Sequence, residues 1–139
     1  MLLNNFISKK NFFVVAEIGN NHEGNLNFAK KLINEAKKAG ADAVKFQFFK
    51  LKNFYHSDIK KKRFRQLKKY SFSINQILKL KEYADQKKII FFSTALDLET
   101  AKSLNRVQPI FKIASGDNNL LDFIEKILSY KKPTIISTG

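Results

Sequence analysis

Two lysines lie inside segments that otherwise have the composition of buried β-strands. Lys45 is in the apolar run 43–48 (AVKFQF), and Lys112 is in the run 110–115 (IFKIAS). An ammonium group withdrawn from water without a partner costs much free energy, so a strand that carries one usually directs it at a negative charge. The two runs therefore predict a site for an anion.

Other polar side chains stand near the carboxyl ends of the apolar runs. They are Glu17, Gln47, Ser93, Thr94, Ser115, Ser137 and Thr138. Lysines with several hydroxyls would bind a phosphate and a carboxylate, because they supply positive charge and donors that can be oriented. Glu17 could act as an acid or base, or bind a sugar hydroxyl. A structural explanation stays open, in which the lysines extend out of strand ends, Glu17 pairs with one of them, and the hydroxyls bond loop backbone.

The two histidines carry little signal for chemistry. His22 lies in a polar turn before a helix, where a single histidine more often organises the loop through hydrogen bonds than binds a metal. His56 has no motif around it and is assigned no role.

Short apolar runs alternate with helical patterns along the chain. The runs, at 12–18, 43–48, 89–93, 110–114 and 134–138, lack strict polar alternation, which favours parallel strands covered on both faces. One helix is predicted between an Asn25 N-cap and Gly40, and a second over 73–87 with Ile74, Ile77, Leu78 and Ala84 buried. A third follows Asp97 and uses Leu98, Ala101 and Leu104, and a fourth is lined by Leu121, Ile124, Ile127 and Leu128.

Side-chain phase distinguishes an open sheet from a barrel. With a period of two, Lys45 and Gln47 share one strand face, and Val44 and Phe46 take the other. A polar face and an apolar face fit a barrel better than a sheet with helices on both sides. A complete barrel takes about 250 residues. We therefore expect an α/β fold, an incomplete (β/α)8 TIM barrel with its first five strands and four helices, in one truncated domain over 1–139.

Composition restricts the class of protein further. The chain has 139 residues, 44% of them apolar, no cysteine and a net charge of +14. We expect no disulfide, no signal peptide and no membrane span. The basic run 60–69 lacks the interleaved aromatics of a nucleic-acid stacking platform, so it is interpreted as a solvated helix or loop face, and no nucleic-acid partner is predicted.

Four segments together resemble the sialic acid synthase family, which includes N-acetylneuraminate, legionaminate and pseudaminate synthases. They are 16–25 (AEIGNNHEGN), 39–47 (AGADAVKFQ), 111–117 (FKIASGD) and 135–139 (IISTG). The EIGNNH form looks more like the neuraminate and legionaminate branches. The resemblance implies that the chain is the N-terminal part of the catalytic barrel.

The resemblance also implies a reaction and roles for residues. Phosphoenolpyruvate would condense with N-acetylmannosamine or a related 2,4-diacetamido hexose, giving a nonulosonic acid and phosphate. Glu17 would lie beside the reacting centre and, with Lys45 and Lys112, would be catalytic. Phosphoenolpyruvate would be held by Lys45, Thr94, Lys112, Ser115 and Ser137, and the sugar would face Gln47 and Asp117.

Some family features fall outside this chain or differ in it. The two histidines that bind the divalent metal, Mn²⁺ or Mg²⁺, lie beyond Gly139 in the family, so this fragment is expected to hold no metal and to be inactive alone. The resemblance implies a cytoplasmic homodimer with a C-terminal antifreeze-like domain in the full-length protein. Ala95 stands where proline is common, and 50–70 matches poorly.

Two other functions compete with this one. Lys45 or Lys112 could form a Schiff base in a class I aldolase, because a desolvated lysine can become a nucleophile. Alternatively, the chain could be a non-catalytic basic module whose binding to nucleic acid would depend on salt.

Overall fold

Parallel strands alternate with helices through the part of the chain that the structure, a computed structural model, describes. It describes residues 12–54 and 61–139, without the side chain of Phe54, so His56 lies outside it. The elements are β1 Val15–Gly19, α1 Leu26–Lys38, β2 Ala43–Phe48, α2 Leu51–Phe54, α3 Lys61–Tyr70, α4 Ile74–Gln86, β3 Ile90–Ala95, α5 Leu98–Leu104, β4 Phe111–Ile113, α6 Leu121–Leu128 and β5 Thr134–Ile136. A 3-10 turn at Ser115–Asp117 follows β4.

The strands run in the order of the chain. β1, β2 and β3 form one parallel sheet and β4 and β5 form another, with β4 lying beside β3. Sequential parallel strands joined by helical crossovers are the arrangement of the first strands of a (β/α)8 barrel. The predicted α/β fold and incomplete barrel are confirmed. The four predicted helices are present as α1, α4, α5 and α6, and α2 and α3 are additional.

The two faces of the strands enter different clusters. Val44, Phe46 and Phe48 of β2 pack with helix residues such as Ile33 and Ile77 in the main core. The opposite face forms a smaller cluster of Ala43, Phe92 and Ile110, joined by Phe13, Val15 and Ile90. Because strand side chains alternate, Glu17 follows Val15 on this second face and Lys45 follows Ala43. Glu17 and Lys45 therefore lie on the same strand face as this smaller apolar cluster, two residues closer to the carboxyl ends of their strands.

Local signals set the helix ends where the sequence predicted them. The Asn25 side chain accepts a hydrogen bond from the Phe28 N–H at 3.0 Å, and Gly40 follows α1 with a φ of +87°. Ser73 forms a capping box at the start of α4, and Asp97 forms one at the start of α5. Caps of this kind satisfy backbone groups that have no partner inside the helix.

Several leucines predicted to be buried are instead exposed, by 46% at Leu78, 52% at Leu98, 69% at Leu121 and 50% at Leu128. The buried arcs are narrower than the apolar stripes. In α4 the buried residues are Ile77, Leu80 and Ala84, and in α6 they are Phe123 and Ile127. Leu78 is one residue from Ile77, about 100° around the helix, and so turns to solvent.

Length and composition of the helices also bear on membranes. Across the described residues, no helix combines the length and apolar character needed to span a bilayer.

Candidate functional site

Lys45 is held between two neighbouring strands. Its ammonium group forms an ion pair with the Glu17 carboxylate of β1, and its Nζ donates a hydrogen bond to Thr94 Oγ1 of β3 at 3.2 Å. Glu17 and Lys45 are register partners in the sheet. The Lys45 side chain is only 13% exposed, although Glu17 is 53% exposed. Lys45 therefore lies across the inner face of the strands instead of extending into solvent.

Lys112 makes the matching arrangement on the other sheet. Its Nζ donates to Ser137 Oγ, just after β5, at 2.6 Å and also to the carbonyl of Ile113. Burial lowers the pKa of Lys112, and the positive charge of Lys45 lowers it further, while Glu17 and Asp117 act in the opposite direction. The positive charges of Lys45 and Lys112 therefore act on each other, which indicates that the two side chains lie near one another.

Gln47 contacts a residue that the sequence did not single out. Asn20 Nδ2 donates to Gln47 Oε1 at 2.6 Å. In the sheet, Gln47 also stands opposite Thr94. Asn20 belongs to the segment 16–25 that carried the family resemblance, but nothing in its local spacing indicates a contact 27 residues away. Only the parallel pairing of β1 with β2 brings the two amides together.

The loop after β4 brings Asp117, but not Ser115, towards the two lysines. Burial raises the pKa of Asp117, and the charge of Lys112 opposes that rise. Ser115 is exposed in the 3-10 turn, and within the described residues its side chain makes no hydrogen bond to either lysine. Asn118, also missed by sequence reasoning, donates to the carbonyls of Ser137 and Thr138 at 3.4 and 3.3 Å. Asn118 therefore ties the loop after β4 to the loop after β5.

A cavity of about 520 Å³ adjoins this cluster. It is lined by residues that follow β3 and β4, among them Asp97, Asp117 and Phe123, and it does not include Lys45 or Lys112. Asp117 is the residue that the cavity shares with the electrostatic surroundings of Lys112. The cavity therefore meets the surroundings of the lysines at Asp117.

The histidine in the β1–α1 loop is structural. His22 is fully buried, its Nδ1 accepts a hydrogen bond from the Gly24 N–H at 3.0 Å, and its ring stacks on Phe72 with centroids 4.1 Å apart. It organises the loop, as predicted. In the described ranges no three His, Cys, Asp or Glu side chains come together in a group that could hold a metal ion. These residues alone do not fit the divalent metal that the resemblance implies.

Comparisons with known proteins agree with this geometry. Residues 32–139 match the NeuB family model. The chain is 38% identical to N,N'-diacetyllegionaminic acid synthase of Campylobacter jejuni and 34% identical to human N-acetylneuraminate-9-phosphate synthase, aligning over 94% and 91% of its own length. A crystal structure of N-acetylneuraminic acid synthetase from Leptospira borgpetersenii superposes with a TM-score of 0.85 at 34% identity, over 91% of this chain.

The aligned region is only part of each relative. It covers 43% of the Campylobacter protein, 39% of the human protein and 44% of the Leptospira chain. The family match itself extends over most of the sequence and includes Lys45, Gln47, Lys112 and Asp117. The chain therefore belongs to the NeuB family.

Proposed function

We propose that residues 1–139 are the N-terminal portion of a TIM-barrel domain that condenses phosphoenolpyruvate with an N-acetylated amino sugar. The product would be N-acetylneuraminate or a related nonulosonate, with release of phosphate. The observation that supports this most directly is the pair of lysines whose charges interact, Lys45 and Lys112, each bonded to a hydroxyl on or just after a neighbouring strand. The names of the aligned relatives support the same class of reaction.

Phosphoenolpyruvate matches this pair because it carries a phosphate and a carboxylate. A lysine ammonium has three donors. Lys45 uses two of them on Glu17 and Thr94, and Lys112 uses two on Ser137 and the Ile113 carbonyl. Lys112 retains one donor for the substrate, and Lys45 retains one and gains a second if Glu17 is displaced. In this proposal Ser115 completes the binding set, and the lysines stabilise the negative charge on both anionic groups.

Glu17 would change partner when the substrate binds. Its carboxylate now neutralises Lys45, the position that a substrate anion would take. Displaced from Lys45, Glu17 would stand beside the reacting centre, while Gln47 and Asp117 would face the sugar. C3 of phosphoenolpyruvate would bond to the aldehyde carbon, water would add at C2, and phosphate would leave. A divalent metal, Mn²⁺ or Mg²⁺, would supply Lewis-acid chemistry in the full-length protein, and the described residues of this chain offer no group of ligands for it.

The proposal extends to the setting of the enzyme. It places the full-length protein in the cytoplasm as a homodimer, with small-molecule substrates and no nucleic-acid partner. In this proposal the isolated 139-residue chain would be inactive, because it spans less than half the length of the aligned relatives.

Replacement of Lys112 tests the proposed function. In the full-length protein, Lys112→Ala should lower kcat/KM for phosphoenolpyruvate by about 100-fold or more, because one of two cations that stabilise the anion is lost. The assay is phosphate release from phosphoenolpyruvate with N-acetylmannosamine or its 2,4-diacetamido analogue. Unchanged turnover in Lys112→Ala would contradict the assigned role.

Lys132 offers a matched control for that experiment. It is also a lysine whose pKa is lowered by burial, but its Nζ donates to the backbone carbonyls of Asn105 and Gln108. Lys132→Ala should lower the melting temperature and leave kcat/KM for phosphoenolpyruvate within about twofold, because a lost hydrogen-bonded cation affects stability and not the anion site.

The lowered pKa of Lys112 also favours a class I aldolase as a second candidate. A lysine that loses its proton more easily is a better nucleophile for a carbonyl. Incubation with pyruvate and borohydride, followed by mass spectrometry, separates the two functions. A covalent pyruvate adduct at Lys112 would support the aldolase, and phosphate release without an adduct would support the synthase.

A further inference from the structure

We propose that Gln108 is a positioning residue that sets the distance between the two halves of the lysine site. One half is Lys45 with its hydroxyl partner on β3, and the other is Lys112 with its hydroxyl partner just after β5. The inference rests on the proposed function, in which both lysines bind phosphoenolpyruvate, and it adds a residue from outside the binding set. Gln108 lies in the connection between α5 and β4.

The lysine site extends across a break between two sheets. Lys45 and Thr94 belong to the sheet of β1, β2 and β3, and Lys112 belongs to the sheet of β4 and β5. β4 lies beside β3, but among the described strands these two share no backbone ladder. Strands paired by a ladder lie at a fixed spacing of about 4.8 Å. At this junction the spacing of the two lysines therefore depends on other contacts.

A side-chain amide takes the place of a ladder bond at the junction. The Ser93 N–H donates to Gln108 Oε1 at 2.7 Å, and Gln108 is only 2% exposed. Because β2 occupies one edge of β3, the Ser93 donor lies on the other edge, which faces β4. Strands bridged by a side chain stand further apart than strands paired backbone to backbone. Gln108 therefore acts as a spacer between β3 and β4.

The backbone of Gln108 is held at both of its polar groups. Its N–H donates to the Leu104 carbonyl at 3.0 Å, and its carbonyl accepts a hydrogen bond from Lys132 Nζ at 2.8 Å. Lys132 stands two residues before β5 begins. With its backbone fixed in this way, the bond from the Gln108 side chain to Ser93 joins β3 to the sheet of β4 and β5.

Both ends of the spacer adjoin the residues that would bind the substrate. Ser93 directly precedes Thr94, which accepts the hydrogen bond from Lys45, and Gln108 stands four residues before Lys112. A displacement at either end would therefore move one lysine relative to the other. The positive charge of Lys45 already lowers the pKa of Lys112, so that pKa responds to the separation of the two lysines.

Gln108→Met tests the spacer. Methionine has a similar length, but its thioether is a weak acceptor, so the Ser93 N–H loses its partner and β3 and β4 can approach to pair directly. In the full-length protein, KM for phosphoenolpyruvate should rise about tenfold or more, because the lysines no longer match both anionic groups. The closer lysines should also move the alkaline limb of the pH profile of kcat/KM to lower pH, since like charges favour loss of a proton.

Gln108→Glu is the conservative variant that keeps the spacer. An oxygen of its carboxyl group can accept from the Ser93 N–H whether the group is protonated or ionised. Gln108→Glu should lower the melting temperature, because burial of a carboxyl group is costly, and keep KM for phosphoenolpyruvate within about twofold. If Gln108 were only structural, KM would follow the melting temperature in both variants, and that result would overturn the inference.

Lys132→Ala is the control for a general loosening of the same loop. It removes the bond to the Gln108 carbonyl and leaves the bond from Ser93 to the Gln108 side chain in place. The melting temperature should fall, and KM for phosphoenolpyruvate should stay within about twofold. An equal rise in KM in Lys132→Ala and Gln108→Met would overturn the inference, because any loosening of the loop would then be sufficient.

The remaining outcomes are also distinguishable. Failure of the wild-type full-length protein to release phosphate would contradict the proposed function itself. An active wild type with the same KM for phosphoenolpyruvate in Gln108→Met would overturn only the spacer. If thermal unfolding shows that Gln108→Met does not fold, Gln108→Asn serves instead, because its amide is one methylene group shorter and loses the bond to Ser93. It should raise the same KM about threefold or more, and no change would overturn the inference.

Discussion

A single buried histidine makes the stability of the β1–α1 loop depend on pH. His22 has no exposed surface, and burial lowers its pKa to about 4. In the unfolded chain a histidine has a pKa of about 6.5. Because the folded pKa is the lower one, the folded state is favoured fully above pH 6.5 and loses that advantage as the pH falls towards 4. We expect the free energy of unfolding to fall by about 3 kcal/mol over that range.

Urea denaturation at pH 7.5 and pH 4.5 measures this loss. His22→Phe should keep the ring stacked on Phe72 and flatten the pH dependence, since it removes the titrating group. His56→Asn removes the other histidine of the chain and should leave the slope in place. An equal slope in the wild type and His22→Phe would show that other groups control the transition.

Among the elements, α3 is fixed to the β1–α1 loop by an approach so close that only glycine fits. A Cβ atom on Gly24 would lie 1.9 Å from the Lys69 carbonyl oxygen, and Gly24 has a φ of +78°. Gly24→Ala should therefore lower the free energy of unfolding by about 3 kcal/mol or more, the sum of backbone strain and overpacking. Urea denaturation, with hydrogen exchange across α3, measures the change.

Gly40 separates the two contributions to that effect. Its φ is +87°, similar to that of Gly24, but a Cβ atom there would meet nothing within 4 Å. Gly40→Ala should lower the free energy of unfolding by only about 1–2 kcal/mol, the strain alone. Equal losses in the two variants would mean that the approach of α3 contributes nothing.

The elements also show which parts of the structure were predictable from sequence. The caps at Asn25, Ser73 and Asp97 were predictable because each is completed within three residues of the chain. In contrast, α3 has a single buried residue, Leu67, and so lacks the apolar stripe on which a prediction depends. The strand lysines were found because a charge in an apolar run is visible locally. The bond from Asn20 to Gln47 depends on strand pairing, so it is not visible in the local sequence.

On the scale of the whole molecule, six of the cations lie on one helix beside the β1–α1 loop. The net charge is +14, and α3 alone carries Lys61, Lys62, Arg63, Arg65, Lys68 and Lys69. Lys69 forms an ion pair with Glu23 at 3.3 Å, so the carboxyl end of α3 lies on the loop that carries Asn20. The sequence interpretation of the run 60–69 as a solvated helix or loop face holds for its described part, α3. Because α3 lies beside the β1–α1 loop, its exposed charges are concentrated at that loop.

Such a helix should accelerate the approach of phosphoenolpyruvate, the anion that we propose as substrate. Positive charge beside a cleft raises association rates, and salt screens the effect over about 8–10 Å. In the full-length protein, kcat/KM for phosphoenolpyruvate should fall as salt is raised from about 20 to 200 mM. Lys62→Gln with Lys68→Gln should lower kcat/KM a few-fold at low salt and weaken its salt dependence, with kcat unchanged, because the chemical groups are untouched.

Two lysines at the amino ends of the strands supply a control that tests whether the position of the charge matters. Lys38 ends α1 before β2 begins, and Lys87 follows α4 before β3 begins, so both lie at the amino ends of the strands, away from the lysine site. Lys38→Gln with Lys87→Gln removes the same net charge from that edge. If net charge alone attracts phosphoenolpyruvate, the two double variants will lose kcat/KM equally. If α3 directs the substrate, only the variant on α3 will lose it, because strands of six residues put about 20 Å between their two ends, more than the screening length.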